Sequence, residues 1–205
     1  RVSEAAYRVS KRSLDVLLAA VGLIVLSPLL LVAALAIVFT DFGPVFHKQE
    51  RVGLFGRPFP FVKLRSMVKD ADRLRDRLLD KNQHGHCVTF KMREDPRVTR
   101  VGRWIRRLSI DELPQLWSVI TGDMSLVGPR PPLPGEVAQY HASDRRRLDV
   151  KPGLTCIWQV SGRGDVPFPQ QVRMDVEYVE RRGFWLDLWL LLKTIPAVLG
   201  RRGAY

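Results

Sequence analysis

The sequence predicts an α+β protein that is mostly helical, with a membrane helix at the N-terminus and one small β-hairpin. Three observations support this prediction. Val16–Phe39 is an almost unbroken apolar run, two short strand-like segments follow it, and charged amphipathic segments separated by Gly- and Pro-rich turns fill the rest of the 205 residues. A chain of this length is one domain's worth and can bury a hydrophobic core.

Composition restricts the partners. The formal net charge is +12 and the pI about 10.4, which favours nucleic acid, acidic lipid headgroups or phosphorylated substrates as binding partners. No recognised nucleic-acid-binding motif is present, so nucleic acid is not expected. The two cysteines, Cys87 and Cys156, lie far apart and indicate a reducing compartment without a disulfide framework.

Residues 1–12 form a basic segment, and residues 13–40 are predicted as the membrane helix. Pro28 lies in the middle, where it removes the hydrogen bond to the carbonyl of Ile24 and kinks the helix, while Ser27 can bond a freed backbone group. Both flanks are basic, so a spanning helix would violate the positive-inside preference on one side. A re-entrant helix that leaves by the face it entered is therefore favoured; a kinked single-pass anchor remains the alternative.

The next two segments, Val45–Glu50 and Phe59–Arg65, are predicted to form a hairpin. Alternation puts Lys63 and Arg65 on the same face of the second strand. Two adjacent cations on a rigid strand suit a phosphate clamp, although the spacing alone fits a solvated edge strand equally well.

Leu108–Leu116 contains the adjacent carboxylates Asp111 and Glu112 followed by Pro114, which is tolerated only in the first turn of a helix. The helix cap is therefore predicted near Ile110 or Asp111, or slightly earlier through a Ser-x-x-Glu capping box at Ser109. In either case the helix dipole would help keep these carboxylates ionised. Taken alone, an Asp-Glu pair at this place is ordinary capping.

Arginines surround this segment in the sequence. Arg97 follows Asp95-Pro96, and four more, several of them expected at lipid headgroups or in solvent, lead to the carboxylates: Arg100, Arg103, Arg106 and Arg107. Arg130 is held extended by flanking prolines after Gly128, which permits close backbone approach, and this presentation suits bidentate phosphate binding. The Gly162-Arg163-Gly164 loop offers another arginine.

Three further helices are predicted. Residues 69–81 form a charged surface helix, and residues 170–182 place Asp175 and Tyr178 on one face. Phe184–Leu199 is apolar nearly all round with tryptophans at one end, which favours a helix at the membrane interface over a buried core helix. His84, His86 and Cys87 make only a weak zinc motif.

The motifs have a familiar order. Ser109-Ile-Asp111-Glu112-Leu-Pro-Gln, then Gly122-Asp-Met-Ser-Leu-Val-Gly-Pro-Arg130-Pro, resembles the signature of the bacterial sugar transferases, the monotopic phosphoglycosyl transferases. Lys63-Leu-Arg65-Ser-Met and the block from Lys151 to Arg163 are similar to further family motifs. The resemblance covers nearly the whole chain from Lys11 to about Leu199.

The resemblance implies a single catalytic domain over residues 1–205, with amphipathic interfacial helices around an active site that faces the cytoplasm at the bacterial inner membrane. Such an enzyme moves a sugar 1-phosphate from a nucleotide sugar, here of the UDP-hexose type, to a polyprenyl phosphate in surface-glycan synthesis, and releases UMP. Asp111 would be the nucleophile and a Mg²⁺ ligand, and Glu112 would position the metal or handle a proton. The candidate phosphate ligands are Lys63, Arg65, Arg97, Arg130 and Arg163.

The alternative is a membrane-anchored basic binding module without catalysis, which would explain the charge and the anchor but not the order of the motifs. The expected partners of the enzyme are the nucleotide sugar, polyprenyl phosphate and membrane lipids. Whether it forms a homo-oligomer stays open.

Overall fold

The computed structural model describes residues 4–76, 92 and 94–200. Its helices are α1 (Glu4–Asp41), α2 (Ala71–Asp76), α3 (Arg100–Arg107), α4 (Gln115–Thr121), α5 (Pro134–Val137), α6 (Ile157–Ser161), α7 (Phe168–Arg181) and α8 (Phe184–Leu199). Its strands are β1 (Phe46–Val52), β2 (Pro58–Leu64), β3 (Ser125–Val127) and β4 (Gly153–Thr155). Helices therefore dominate and the sheets are small, which confirms the predicted α+β class.

Helix α1 is longer than predicted. It begins at Glu4 rather than at residue 13, so the basic residues before the apolar run belong to the same helix. The helix continues through Pro28, and Ser27 Oγ donates a 2.8 Å hydrogen bond to the Ile24 carbonyl, the acceptor that the proline cannot serve. Among the described residues, α1 alone is long and apolar enough to cross a membrane.

Both halves of α1 pack against the same globular body. In the first half, Lys11 Nζ donates to Asp187 (2.7 Å) on α8, and Asp15 accepts a bond from the Leu126 amide of β3 (3.0 Å). In the second half, Ala33 and Ile37 are buried in one cluster with Leu64, Ile105 and Ile110. The stretch Ser27–Leu29 between the two contact regions is exposed.

The hairpin is present with slightly shifted ends. Strands β1 and β2 pair antiparallel, with Lys63 opposite His47 and Phe46 opposite Leu64. Leu64 turns into the core and is 1% exposed, whereas Lys63 points to the other face. Arg65 follows directly after β2, and its amide still bonds to the Val45 carbonyl (2.8 Å).

A second, parallel pair joins β3 and β4, which no pattern in the sequence predicted. It depends on two glycines that lie against each other. A Cβ on Gly153 would stand 2.0 Å from the Gly128 nitrogen, and one on Gly128 would stand 2.5 Å from the Lys151 carbonyl. The predicted close backbone approach at Gly128 is thus confirmed, and this contact fixes where the following Pro129-Arg130 segment begins.

Helices α7 and α8 match their predicted positions. Asp175 and Tyr178 are both buried on one face of α7, as expected from their spacing. Helix α8 has two faces: Leu190 is fully buried, while Trp185 and Leu199 are 77% and 67% exposed. The prediction of an apolar helix at a surface fits the second face. The predicted helix over residues 69–81 is described only as α2, and His84, His86 and Cys87 lie outside the described residues.

Candidate active site

Asp111 and Glu112 lie in a 3-10 turn, Ile110–Glu112, that connects α3 to α4. The predicted helix start was wrong, because α4 begins only at Gln115 with Pro114 as its N-cap. The proposed capping box was also wrong: Ser109 makes no side-chain capping bond and has a φ of 54° in the left-handed region. The two carboxylates therefore precede the helix instead of occupying its first turn.

Burial, rather than a helix dipole, dominates the electrostatics of Asp111. The residue is 9% exposed, and loss of solvation together with the neighbouring Glu112 carboxylate raises the pKa of Asp111 to about 7. Lys63 and Arg106 oppose this shift. The expectation that the α4 dipole keeps the carboxylate ionised is thus corrected, and the nearby cations supply that stabilisation instead.

Those cations line a cleft of about 550 Å³ between the hairpin, α3 and the segment after β3. Among the described residues that line it, Glu136 alone is acidic, and the basic ones are Arg51, Lys63, Arg65, Lys69, Arg97, Arg106 and Arg130. The structure therefore brings together four of the five predicted phosphate ligands. A cleft with this excess of positive charge suits a polyanion.

The cations are held close enough to disfavour one another. Burial and the neighbouring Arg106 lower the pKa of Lys63 to about 8, and burial and Arg130 lower that of Arg51 to about 10. Arg51 also stacks over the Phe61 ring at 5.2 Å. Cations that are partly buried and repel one another in this way are typical of a candidate anion-binding site.

Arg130 is presented by a rigid strap, the segment Pro129–Pro132. Three successive carbonyls of the strap are held from different parts of the fold. Arg147 donates to the Arg130 carbonyl (3.3 Å), Arg51 to the Pro131 carbonyl (3.0 Å) and the Val52 amide to the Pro132 carbonyl (2.9 Å). The prolines fix φ and have no N–H to satisfy, so these bonds hold the backbone on both sides of Arg130 in place.

The strap is anchored by a buried ion pair between Arg147 and Asp175, which are 4% and 0% exposed. Arg147 also donates to the Tyr140 hydroxyl at 2.7 Å. Burial raises the pKa of Asp175 to about 6 although Arg147 opposes the shift. Burial by itself would lower the pKa of Arg147, but Asp175, Tyr140 and Glu136 together raise it, so the charge on Arg147 is stabilised by its neighbours.

Two predicted ligands have surroundings that the sequence did not indicate. Arg97 lines the cleft but its guanidinium binds Asp95 through two nitrogens, Nε to Oδ1 (2.9 Å) and Nη2 to Oδ2 (2.6 Å). Arg163 lies outside the cleft. It shares a separate, mostly apolar cavity of about 160 Å³ with Glu112, where its guanidinium donates to Ser109 Oγ.

Arg51 and Arg106 line the cleft but were absent from the predicted ligands. Arg106 donates to Ser66 Oγ at 2.7 Å and interacts with Asp111, whereas the neighbouring Arg107 is exposed. The run of arginines before the carboxylates was a usable signal, but its periodicity does not tell which member turns inward. No sequence feature distinguishes Arg51 from the other cations of the hairpin.

A magnesium ion fits the chemistry of this site in one way. The described residues contain no group of three acidic, histidine or cysteine side chains that could hold a metal. Mg²⁺ is commonly bound through one or two carboxylates together with substrate phosphates. Asp111, with Glu112 beside it, offers such hard oxygen ligands near the cationic cleft, so these residues would hold an ion only with further ligands such as phosphate oxygens.

Comparisons with known proteins give matches along nearly the whole chain. The family model described as bacterial sugar transferase matches residues 6–201. The exopolysaccharide production protein ExoY of Sinorhizobium fredii is 42% identical over 200 residues, which are 96% of this chain and 88% of that protein. The undecaprenyl-phosphate galactose phosphotransferase of Salmonella typhimurium is 42% identical over 201 residues, 97% of this chain and 42% of that protein.

A third relative is the UDP-glucose:undecaprenyl-phosphate glucose-1-phosphate transferase of Caulobacter vibrioides, 42% identical over 203 residues that cover 95% of this chain and 72% of that protein. The chain thus spans most of some relatives and less than half of others. Its family match extends over the hairpin, the carboxylate turn, the strap and both C-terminal helices. The chain belongs to the bacterial sugar transferase family.

Proposed function

We propose that this protein is a phosphoglycosyl transferase that moves a hexose 1-phosphate from a UDP-hexose to a membrane polyprenyl phosphate. The observation that carries the proposal is the buried Asp111 carboxylate, which interacts with Lys63 and Arg106 of a cation-lined cleft. The names of the relatives supply the substrate class, because two of them refer to undecaprenyl phosphate and to galactose or UDP-glucose.

The chemistry follows from this arrangement. Lys63, Arg106 and Arg130 neutralise the diphosphate, which lets an anionic carboxylate approach phosphorus. An oxygen of Asp111 attacks the phosphorus that bears the sugar; an Asp–O–P bond forms, and the P–O bond to UMP breaks, with the electron pair leaving on UMP. A phosphate oxygen of the polyprenyl acceptor then attacks the same phosphorus and releases the carboxylate. Bound Mg²⁺, held by Asp111 and Glu112, would add Lewis-acid neutralisation of the diphosphate.

The packing of α1 supports a re-entrant topology. A bilayer has a hydrocarbon core of about 30 Å. In a spanning helix, residues on opposite sides of the hydrocarbon core could not both pack against one catalytic body. Asp15 and Ile37, which lie in the two halves of α1, are both buried against that body. The exposed Ser27–Leu29 stretch would be the part that lies deepest in the membrane, and the active site would face the cytoplasm, where UDP-sugars are made.

Nucleotide release tests the function directly. Purified protein, undecaprenyl phosphate and Mg²⁺ are incubated with a panel of nucleotide sugars, and nucleoside monophosphate is measured. Release with one sugar would identify the class and the donor, and a chelator should abolish it. Folded protein that stays silent with every donor would instead support the basic binding module.

The topology prediction uses two single cysteines, Ser3→Cys and Lys69→Cys, in a Cys87→Ser background; the remaining Cys156 is fully buried. A membrane-impermeant maleimide should label both positions in inverted vesicles and neither in intact spheroplasts. Labelling of the two from opposite sides would establish a spanning helix.

Lys63→Ala and Arg130→Ala should each lower kcat/KM by roughly ten- to more than a hundredfold, since a charge-assisted phosphate contact contributes about 1.5–3 kcal/mol. Arg57→Ala is the matched control, because Arg57 is an exposed cation at the turn of the same hairpin. Its rate should stay unchanged. Full activity of either cleft variant would show that the replaced residue is a solvated cation and not a phosphate ligand.

The lowered pKa of Lys63 predicts a pH effect. In the enzyme without bound donor, Lys63 loses its proton as the pH rises through about 8. The kcat/KM for the donor should therefore fall over that range. Lys63→Arg keeps its charge at higher pH, so the fall should disappear from the profile. An identical profile for both proteins would show that another group titrates.

A further inference from the structure

The carboxylate turn begins at a residue in an unfavourable conformation. Ser109 follows Leu108, the C-cap of α3, and precedes the turn; its amide is bonded to the Arg106 carbonyl (3.0 Å) and its own carbonyl accepts from the Glu112 amide (3.2 Å). Its φ is 54°, a region in which glycine is far more at ease than serine. The backbone conformation of Ser109 thus determines how the carboxylate turn is oriented relative to Arg106.

A second residue in the same conformation holds Ser109 from the other side. Arg163 has a φ of 53°, and its Nη2 donates to Ser109 Oγ across 54 positions of sequence. Helix endings in the left-handed region usually use glycine. The serine hydroxyl therefore provides a contact that glycine would lack, and that contact compensates for the backbone conformation.

The position of Arg163 separates it from the predicted phosphate ligands. Lys63, Arg106 and Arg130 line the cationic cleft, whereas Arg163 lines the small apolar cavity with Glu112 and Leu113. Its other terminal nitrogen, Nη1, is buried and has no hydrogen-bond partner among the described residues. Arg163 thus touches the base of the carboxylate turn and not the space suited to a diphosphate.

The geometry points to Arg163 as a positioning residue that acts through Ser109: it holds Ser109 in the left-handed conformation and thereby fixes where Asp111 lies relative to Lys63 and Arg106. The inference rests on the proposed transferase function. It differs from direct binding of the donor in its kinetic consequence. A positioning contact changes the geometry of attack and therefore kcat, whereas a lost phosphate ligand raises the KM of the donor.

Glycine at position 109 distinguishes the two roles. Arg163→Ala and Ser109→Ala should each lower kcat by roughly 10- to 100-fold with little change in donor KM. The double variant should be no worse than either single one, because both changes remove the same contact. Glycine at position 109 adopts a positive φ without a side-chain contact, so Ser109→Gly should keep most of kcat. It should also make Arg163 dispensable, so the kcat of Ser109→Gly with Arg163→Ala should be higher than the kcat of Arg163→Ala alone.

A raised donor KM for Arg163→Ala that persists with glycine at position 109 would overturn the inference and assign Arg163 to substrate. Additive losses in the alanine double variant would equally overturn it. The wild-type protein, the two alanine single variants and the alanine double variant are also compared by thermal unfolding, which needs no substrate. Non-additive shifts in the unfolding temperature support the contact, and additive shifts reject it. Silence of the wild-type protein in the release assay would refute the transferase function separately.

Discussion

Asp111→Asn should lower the rate of UMP release at least about a thousandfold while the protein stays folded. Asparagine keeps the size of the side chain but lacks the anionic oxygen that attacks phosphorus. The burial of Asp111 also means that no exposed group can easily replace it at the same place, since the residue is 9% exposed and its turn is fixed between α3 and α4. Asp123→Asn is the control, because Asp123 is an exposed carboxylate after α4.

The covalent route makes this prediction specific. Donor alone should release about one equivalent of UMP per active site in a burst, and turnover with acceptor should be ping-pong. Intact-protein mass spectrometry after donor treatment should show a sugar-phosphate adduct that maps to Asp111. An adduct on another residue would identify that residue, and not Asp111, as the nucleophile. Release that strictly requires the acceptor, without any adduct, would indicate a single direct displacement and leave Asp111 as a metal ligand.

Asp175→Asn should lower the free energy of unfolding by about 3–5 kcal/mol, because it leaves the buried Arg147 cation without its counter-charge. The same change should raise the donor KM, since Arg147 holds the Arg130 carbonyl and Asp175 holds Arg147. Unfolding of the detergent-solubilised protein by heat or denaturant measures the first effect. The donor KM measures the second, because a misdirected Arg130 binds the diphosphate less well.

The adjacent arginine provides a matched control for this variant. Arg146 pairs with Glu180, which lies on the same helix α7 as Asp175, but the side chains of Arg146 and Glu180 are 54% and 50% exposed. Glu180→Gln should therefore cost less than about 1 kcal/mol and leave the donor KM unchanged. Equal losses from the two variants would mean that burial does not make the Arg147–Asp175 pair important and that the strap is held by other contacts.

The sequence alone determined the elements whose causes are local. The apolar run before Phe39 required a long membrane-competent helix, and Ser27 supplied the hydrogen bond that Pro28 removes. Alternation in the hairpin put Lys63 on the face opposite Leu64, and spacing put Asp175 and Tyr178 together on α7. The order of the motifs was specific enough to indicate the family and the two carboxylates, because each motif is a continuous stretch.

Tertiary structure decided what depends on burial and on distant partners. The predicted effect of a helix dipole on Asp111 was wrong, because desolvation, which no local pattern reveals, raises the pKa of this carboxyl group. Arg106 turns toward the site while Arg107 points outward, since only one face of α3 packs on the body. Arg163 and Arg130 look alike in sequence as arginines in rigid loops. The fold puts one under the carboxylate turn and the other in the cleft, because contacts between residues far apart in the chain, such as Arg163 with Ser109 and Arg147 with Asp175, set where each loop lies.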